Sequence, residues 1–124
     1  IGNRIAFVVR PEKLGTLVLL NIASDGKVSV LYPTADHEMQ PLPAGQATFV
    51  PGKAESERIV VQEPVGMDYQ FALLFDEAPA GLAGLFKAQN VPPEDSRLLA
   101  LENAIRAASG KFAFASSELR TVRP

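Results

Sequence analysis

Cysteine and tryptophan are absent from the chain, and histidine occurs once. Without cysteine there is no disulfide, no thiolate nucleophile and no thiolate metal ligand. Without tryptophan a sugar-stacking platform is disfavoured. A single histidine, His37, excludes a two-histidine zinc site within the chain, and carboxylates alone prefer hard cations. Charge of one sign is also lacking. Twelve basic residues against fourteen acidic ones leave a formal net charge of −2, so nothing draws the chain to nucleic acid or to an anionic membrane. Arg120 and Arg123 are too few to make a basic stripe. No apolar run reaches the ~18 residues of a membrane span, and no basic stretch followed by an apolar one marks a signal peptide.

What is present is a punctuated β-pattern. With 124 residues and 47% hydrophobic composition, the chain fits one domain (1–124) that builds its own core without a metal or disulfide. It begins at Ile1, which reads as a piece excised from a longer protein. Arg4–Arg10 reads as a first strand stopped by Pro11, Glu12–Gly15 as a connector and Thr16–Ala23 as a long strand. Asp25-Gly26 signals a hairpin with a type I′ turn, which pairs this strand with the next. In the return strand Val28, Val30 and Tyr32 alternate, which places them on one face, and Pro33 closes it. Residues 33–46 form a long polar loop, a type that is often functional. Ala47–Val50 and Arg58–Gln62 are further strands. Pro64-Val65-Gly66 is a tight turn, and if Gly66 sits at positive φ there, Gly66→Ala costs at least ~1 kcal/mol. Asp68–Asp76 is apolar on both faces and belongs at the centre of a sheet.

Helical spacing then takes over. Leu82, Leu85 and Phe86 suggest a weak helix after Pro79, loosened by Gly81 and Gly84. A firmer helix follows Pro92-Pro93, with the prolines in its first turn and Glu94 and Asp95 at its positive end. Leu98, Leu101, Ile105 and Ala108 form its apolar stripe, Glu102 and Arg106 an i,i+4 pair, and Gly110 its stop. A last strand covers 111–122. The expected fold is mainly β (β-rich α+β): an antiparallel β-sandwich of about seven or eight strands with one firm helix before the last strand. A helix packed on one face of a single sheet is the alternative.

No residue set assembles a catalytic site. His37 lies between Asp36 and Glu38, followed by Met39. Neighbours on an extended segment point to opposite sides, so a solvated loop histidine is the plainer reading. Ser24, Ser29, Ser56, Ser96, Ser109, Ser116 and Ser117 all lie outside any Gly-x-Ser-x-Gly elbow, and only His37 could serve them as a histidine base. The acid pairs Glu55/Glu57, Asp76/Glu77 and Glu94/Asp95 fall in turns and at a helix start, where solvation and capping account for them. Gly81-x-x-Gly84 lacks the Gly-Lys-Ser/Thr ending of a phosphate loop. The two leucine stripes read as core rather than partner grooves. Phe112 and Phe114 beside Lys111 fall short of a nucleic-acid platform. No catalytic, cofactor-binding or metal-binding residue is assigned, and no cofactor is expected.

Several features occur together in order: Gly15-x-Leu17-x-Leu19-Leu20-Asn21, Asp25-Gly26, Val30-Leu31-Tyr32-Pro33, Leu42-Pro43-Ala44-Gly45, Val50-Pro51 and Pro64-x-Gly66. This ordered set, from Gly15 to Pro79, resembles the bacterial domain-of-unknown-function 4384 family. Members of that family occur C-terminal to caspase-like peptidases and other enzymatic or signalling modules. The resemblance implies a non-catalytic accessory domain of a larger bacterial protein. Its partner would be another domain of the parent chain or a separate protein, with a periplasmic or surface setting favoured by analogy. The Cys-His pair of the neighbouring peptidases has no counterpart in a chain without cysteine. On this reading the 33–46 loop and the 80–93 segment are the expected contact surfaces. The alternatives are a small-ligand or glycan-binding sandwich, a hydrolase centred on His37, and an inert spacer.

Overall fold

A computed structural model of the chain describes residues 4–5, 7–34, 41–50, 59–60, 64–77, 82, 84–108 and 112–121. These residues are mainly β, with antiparallel pairing and one α-helix. The strands are β1 (Arg4–Ile5), β2 (Phe7–Val9), β3 (Gly15–Ile22), β4 (Val28–Tyr32), β5 (Pro41–Leu42), β6 (Thr48–Val50), β7 (Ile59–Val60), β8 (Gly66–Phe75) and β9 (Phe112–Thr121). A single 3-10 turn at Leu85–Lys87 and helix α1 (Ser96–Ala108) lie between β8 and β9.

One five-stranded sheet organises the molecule, in the order β4-β3-β8-β9 with β5 also paired to β3. β8 lies inside this sheet, as its two apolar faces require. The expected first strand is divided: β1 pairs with β7, and β2 pairs with β6. Nine strands are present among the described residues, several of only two or three residues, against the seven or eight expected.

The two faces of the sheet carry separate cores. On one, Val18, Val30, Leu73 and Phe75 pack against Leu82, Leu85, Ala88 and Leu101, with Leu98 and Ile105 of α1 adding half-buried contacts. The helix on one face thus follows the single-sheet alternative. On the other face, Leu17, Leu19, Tyr32, Leu42 and Leu74 pack against Val50, Phe7 and Val9 of the β2–β6 pair. Each fully buried leucine or phenylalanine contributes roughly 1.5–3 kcal/mol, which holds both layers to the sheet.

A bulge decides which core receives Tyr32. The β3–β4 register runs Ile22↔Val28, Asn21↔Ser29 and Leu20↔Val30, then jumps to Leu19↔Tyr32. Leu31 is the extra residue, and it turns the strand so that both Leu31 and Tyr32 join the β2–β6 side. The expectation that Val28, Val30 and Tyr32 share one face fails here, because period-2 alternation cannot anticipate an inserted residue.

The hairpin forms where expected but with another turn. Gly26 N–H donates to Ala23 C=O (2.9 Å), Ala23 N–H donates to Lys27 C=O (2.9 Å), and the Asp25 carboxylate accepts from Lys27 N–H (3.0 Å). Of this pair only Gly26 has a positive φ, 84°. This is the three-residue loop of a turn followed by a left-handed glycine, not the type I′ pair. Gly66 has φ 124°, and an added Cβ there would lie 2.9 Å from Ser24 Cβ.

The segment after β8 departs from the expected weak helix. Gly84, at φ 77°, begins only the Leu85–Lys87 turn. The chain then runs along the outer edge of β4. Val28 N–H donates to Val91 C=O (2.8 Å), Val91 N–H to Val28 C=O (2.9 Å) and Val30 N–H to Ala88 C=O (2.8 Å). We refer to residues 84–91 as the strap. Pro92 and Pro93 precede α1 instead of occupying its first turn. Asp95 caps the helix through Arg97 N–H (2.9 Å), the usual role of an acid at that position. Leu101 is buried, with Leu98, Ile105 and Ala108 packed against the same core, and the Glu102–Arg106 pair forms at 2.6 Å. Gly110 lies outside the described residues.

Candidate functional site

Among the described residues, those singled out for chemistry are not brought together. Asp36, His37, Glu38, Met39, Ser56, Glu55, Glu57, Gly81 and Ser109 lie outside the described residues. Ser24 donates to Val65 C=O (2.9 Å), tying the β3–β4 turn to the start of β8. Ser29 Oγ accepts from Asn90 N–H (2.9 Å) and so anchors the strap. Asp76 is bridged to Lys13 at 2.7 Å across exposed surface, an arrangement of little energetic weight. Asp95 receives Arg97 Nε on Oδ1 and Nη2 on Oδ2, both at 3.0 Å. That guanidinium, and then the Arg97 backbone N–H, hold the Asp95 carboxyl below its ordinary value. Among the described residues no group of three His, Asp or Glu gathers as a metal-ligand set. No helix there is long and apolar enough to cross a membrane.

The described part of the 33–46 loop, residues 33–34 and 41–46, is more structured than its composition suggests. Pro41–Leu42 forms β5 against Gly15 and Thr16, and Leu42 is buried. The Pro43–Ala47 stretch is exposed, with Gly45 at φ 72° donating to Pro11 C=O (2.7 Å). The 80–93 segment is not a free surface. Leu82, Leu85 and Ala88 are core residues, and Gln89 Nε2 donates to Val30 C=O (2.6 Å). Truncating it would remove part of the core.

Two arrangements escaped sequence reasoning. The first is a polar chain on the β2–β6 side of the sheet. Gln70, 2% exposed, donates from Nε2 to Asn21 Oδ1 (2.7 Å), and Asn21 Nδ2 donates to Asp68 Oδ2 (3.1 Å). Asp68 Oδ1 is buried and receives no hydrogen bond. Asn21 and Gln70 are register partners on adjacent strands, a pairing that the sequence does not announce. The second arrangement is on the outward side of the β2–β6 pair. Val8 and Phe49 stand directly opposite each other and are 60% and 39% exposed, while Phe7, Val9 and Val50 face the core. The uninterrupted apolar run Phe7-Val8-Val9 hides this alternation.

A mainly β, antiparallel fold with one helix, with an apolar pair at its surface and no assembled reaction centre among the described residues, is the class that these observations define. The family described as "Domain of unknown function (DUF4384)" matches residues 1–75, and the chain belongs to that family. The match ends with the last residue of β8; the strap, α1 and β9 lie beyond it. No curated protein and no solved structure matches the chain.

Proposed function

We propose that this domain is a non-catalytic accessory module. It contacts another domain of its parent chain or a partner protein, within a larger bacterial protein such as a caspase-like peptidase. The observation that carries this reading is the exposed Val8–Phe49 pair. Directly opposed residues in an antiparallel pair have Cβ atoms about 4.5–5.5 Å apart, so the two side chains offer one apolar spot. The inward residues of the same strands fix that spot on the core, and aromatic anchors on rigid scaffolds dominate interface energetics. In this reading the β2–β6 pair is the second layer of a sandwich and serves as the binding layer. The exposed Pro43–Ala47 stretch is a second contact element.

The test is titration of V8D and F49D against the neighbouring parental domain. V8D should keep the parent's melting temperature, because exposed substitutions change stability by about 0.5 kcal/mol or less. Both variants should weaken association by at least about tenfold, the loss of one anchor. Unchanged affinity in both would remove this surface from the reading. A small-ligand reading has one observation in its favour, the buried Asp68 Oδ1 without a donor. Amine and hydroxyl compounds that raise the melting temperature of wild type but not of Asp68→Asn would support it, and a flat screen would dismiss it.

A further inference from the structure

The outward face of the β2–β6 pair continues past Val8 and Phe49. Pro11 follows two residues after Val9, and the residue before a proline is held extended. The alternation of β2 therefore runs one residue further. Val8 faces out, Val9 packs on the core, and Arg10 faces out again and is exposed. Two residues of extended chain span about 6.6 Å, so Arg10 stands close beside Val8. Pro11 is buried and its C=O accepts from Gly45 N–H (2.7 Å), which fixes the chain just beyond. A bend at Glu12 and Lys13 then ends the alternation.

Arg10 differs from its fellow cations. Lys13, Arg97 and Arg106 pair with Asp76, Asp95 and Glu102, whereas among the described residues Arg10 makes no ion pair. One step along from Val9↔Thr48, exposed Ala47 stands opposite it, and that side chain is too short to cover a guanidinium. The exposed Pro43–Ala47 stretch holds no charged residue. The surface is thus an apolar pair with one unspent cation at its side.

We propose that Arg10 sets the chemistry of the partner: a patch on a neighbouring domain of the same parent chain, where an apolar side chain stands beside an Asp or Glu. This rests on the accessory-module reading above and deepens it. The planar fork of arginine fits a carboxylate through two parallel hydrogen bonds. Placed at the side of an apolar contact, such a charge orients the partner and rejects a basic one. Three side chains and a short loop fall below the roughly 20–30 residues a side of a free-standing interface. A tethered neighbour needs fewer contacts, because its effective concentration reaches about millimolar.

Titrating the neighbouring parental domain into the 124-residue chain, followed by amide shifts in NMR spectra, tests this at two salt concentrations. Between about 0.01 and 1 M ionic strength the Debye length shrinks from about 30 to about 3 Å, and wild-type affinity should fall severalfold. Arg10→Gln should bind more weakly at low salt and lose most of that dependence. R10E, which meets the carboxylate with a like charge, should lose at least about tenfold. Val8→Ala should weaken binding by a similar factor at both salts. Arg106→Gln, on the helix across the main sheet from β2–β6, should match wild type. If both Arg10 variants bind like wild type while V8D and F49D are weakened, the acidic partner is overturned and the apolar contact stands. A loss at Arg106→Gln equal to that at Arg10→Gln also overturns it, since the overall field of the domain would then be the cause. Absence of binding by wild type removes both this inference and the reading beneath it.

Discussion

The β4 and β9 edges of the one sheet show how differently a domain can finish its outer strands. β4 is short, bulged at Leu31 and covered by the strap, and the strap is itself pinned by buried Leu85 and Ala88. β9 is long and regular. Both finishing pieces come from residues 76–124, beyond the part that defines the family. The family-matched residues supply β4, β3 and β8; the remainder closes one side and extends the other. The cover of β4 is thus an integral part of the core rather than a detachable lid.

Leu85→Ala gives the sharpest test of that difference. Leu85 is 1% exposed, so the substitution should lower stability by about 2–5 kcal/mol in urea unfolding. A loss below about 1 kcal/mol would mean that the strap is merely laid on the surface. On the β9 side the largest local effect is expected from Gly66→Ala. Gly66 is the register partner of Thr121, and it combines φ 124° with the close approach of Ser24. A cost of at least about 1 kcal/mol should appear in the same measurement. If this substitution proved more damaging than Leu85→Ala, the two sides would have to be exchanged in importance.

Gln89→Ala removes the side-chain bond to Val30 C=O and should cost about 1 kcal/mol. Hydrogen exchange gives a finer reading. The Val28 and Val30 amides should be protected like those of an inner strand, and Leu85→Ala should abolish the excess. The smallest effect concerns pH. The depressed Asp95 carboxyl supports α1 at every pH above the ordinary aspartate value. That support declines as pH falls through the depressed value in the folded state. An acid titration of helical ellipticity should therefore show a low-pH loss in wild type that is missing from Asp95→Asn.

Much of the fold was legible because local chemistry wrote it. Asp25-Gly26 marks a hairpin whatever the turn type, the doubly apolar β8 can only lie inside a sheet, and the Leu98–Ile105 stripe needs a core. The errors have a common cause in non-local pairing. Nothing in Arg4–Arg10 says that its two halves take different partners. A bulge leaves no trace in the run Val28–Tyr32 other than one more apolar residue. Leu82 and Leu85 were identifiable as core, but Gly84 at φ 77° and the edge of β4, rather than helical propensity, decide the path of the strap. The Val8–Phe49 surface was illegible because three apolar residues in a row do not reveal which one faces water. The Asn21–Asp68–Gln70 chain depends on residues as far as 49 positions apart.

That same separation has a consequence for the order in which the chain organises. β3 meets β4 across a three-residue turn, but meets β8 only after a return of 49 positions at Asn21 and Gln70. Loop closure makes the second pairing the entropically expensive one, and topologies that depend on such distant pairings fold slowly. The speed of folding should accordingly be set by the arrival of β8, with the hairpin a local event that precedes or accompanies it. Substitutions at Leu73 or Leu74 should then slow refolding in proportion to their destabilisation, and Asp25→Ala, in a hairpin already formed at that barrier, should slow it as well. Leu73 or Leu74 variants that act on unfolding alone would place the arrival of β8 after the barrier. Until β8 arrives, β3 is paired only on the side of β4 and β5, and in a growing polypeptide that interval lasts at least as long as it takes to synthesise the residues between β3 and β8.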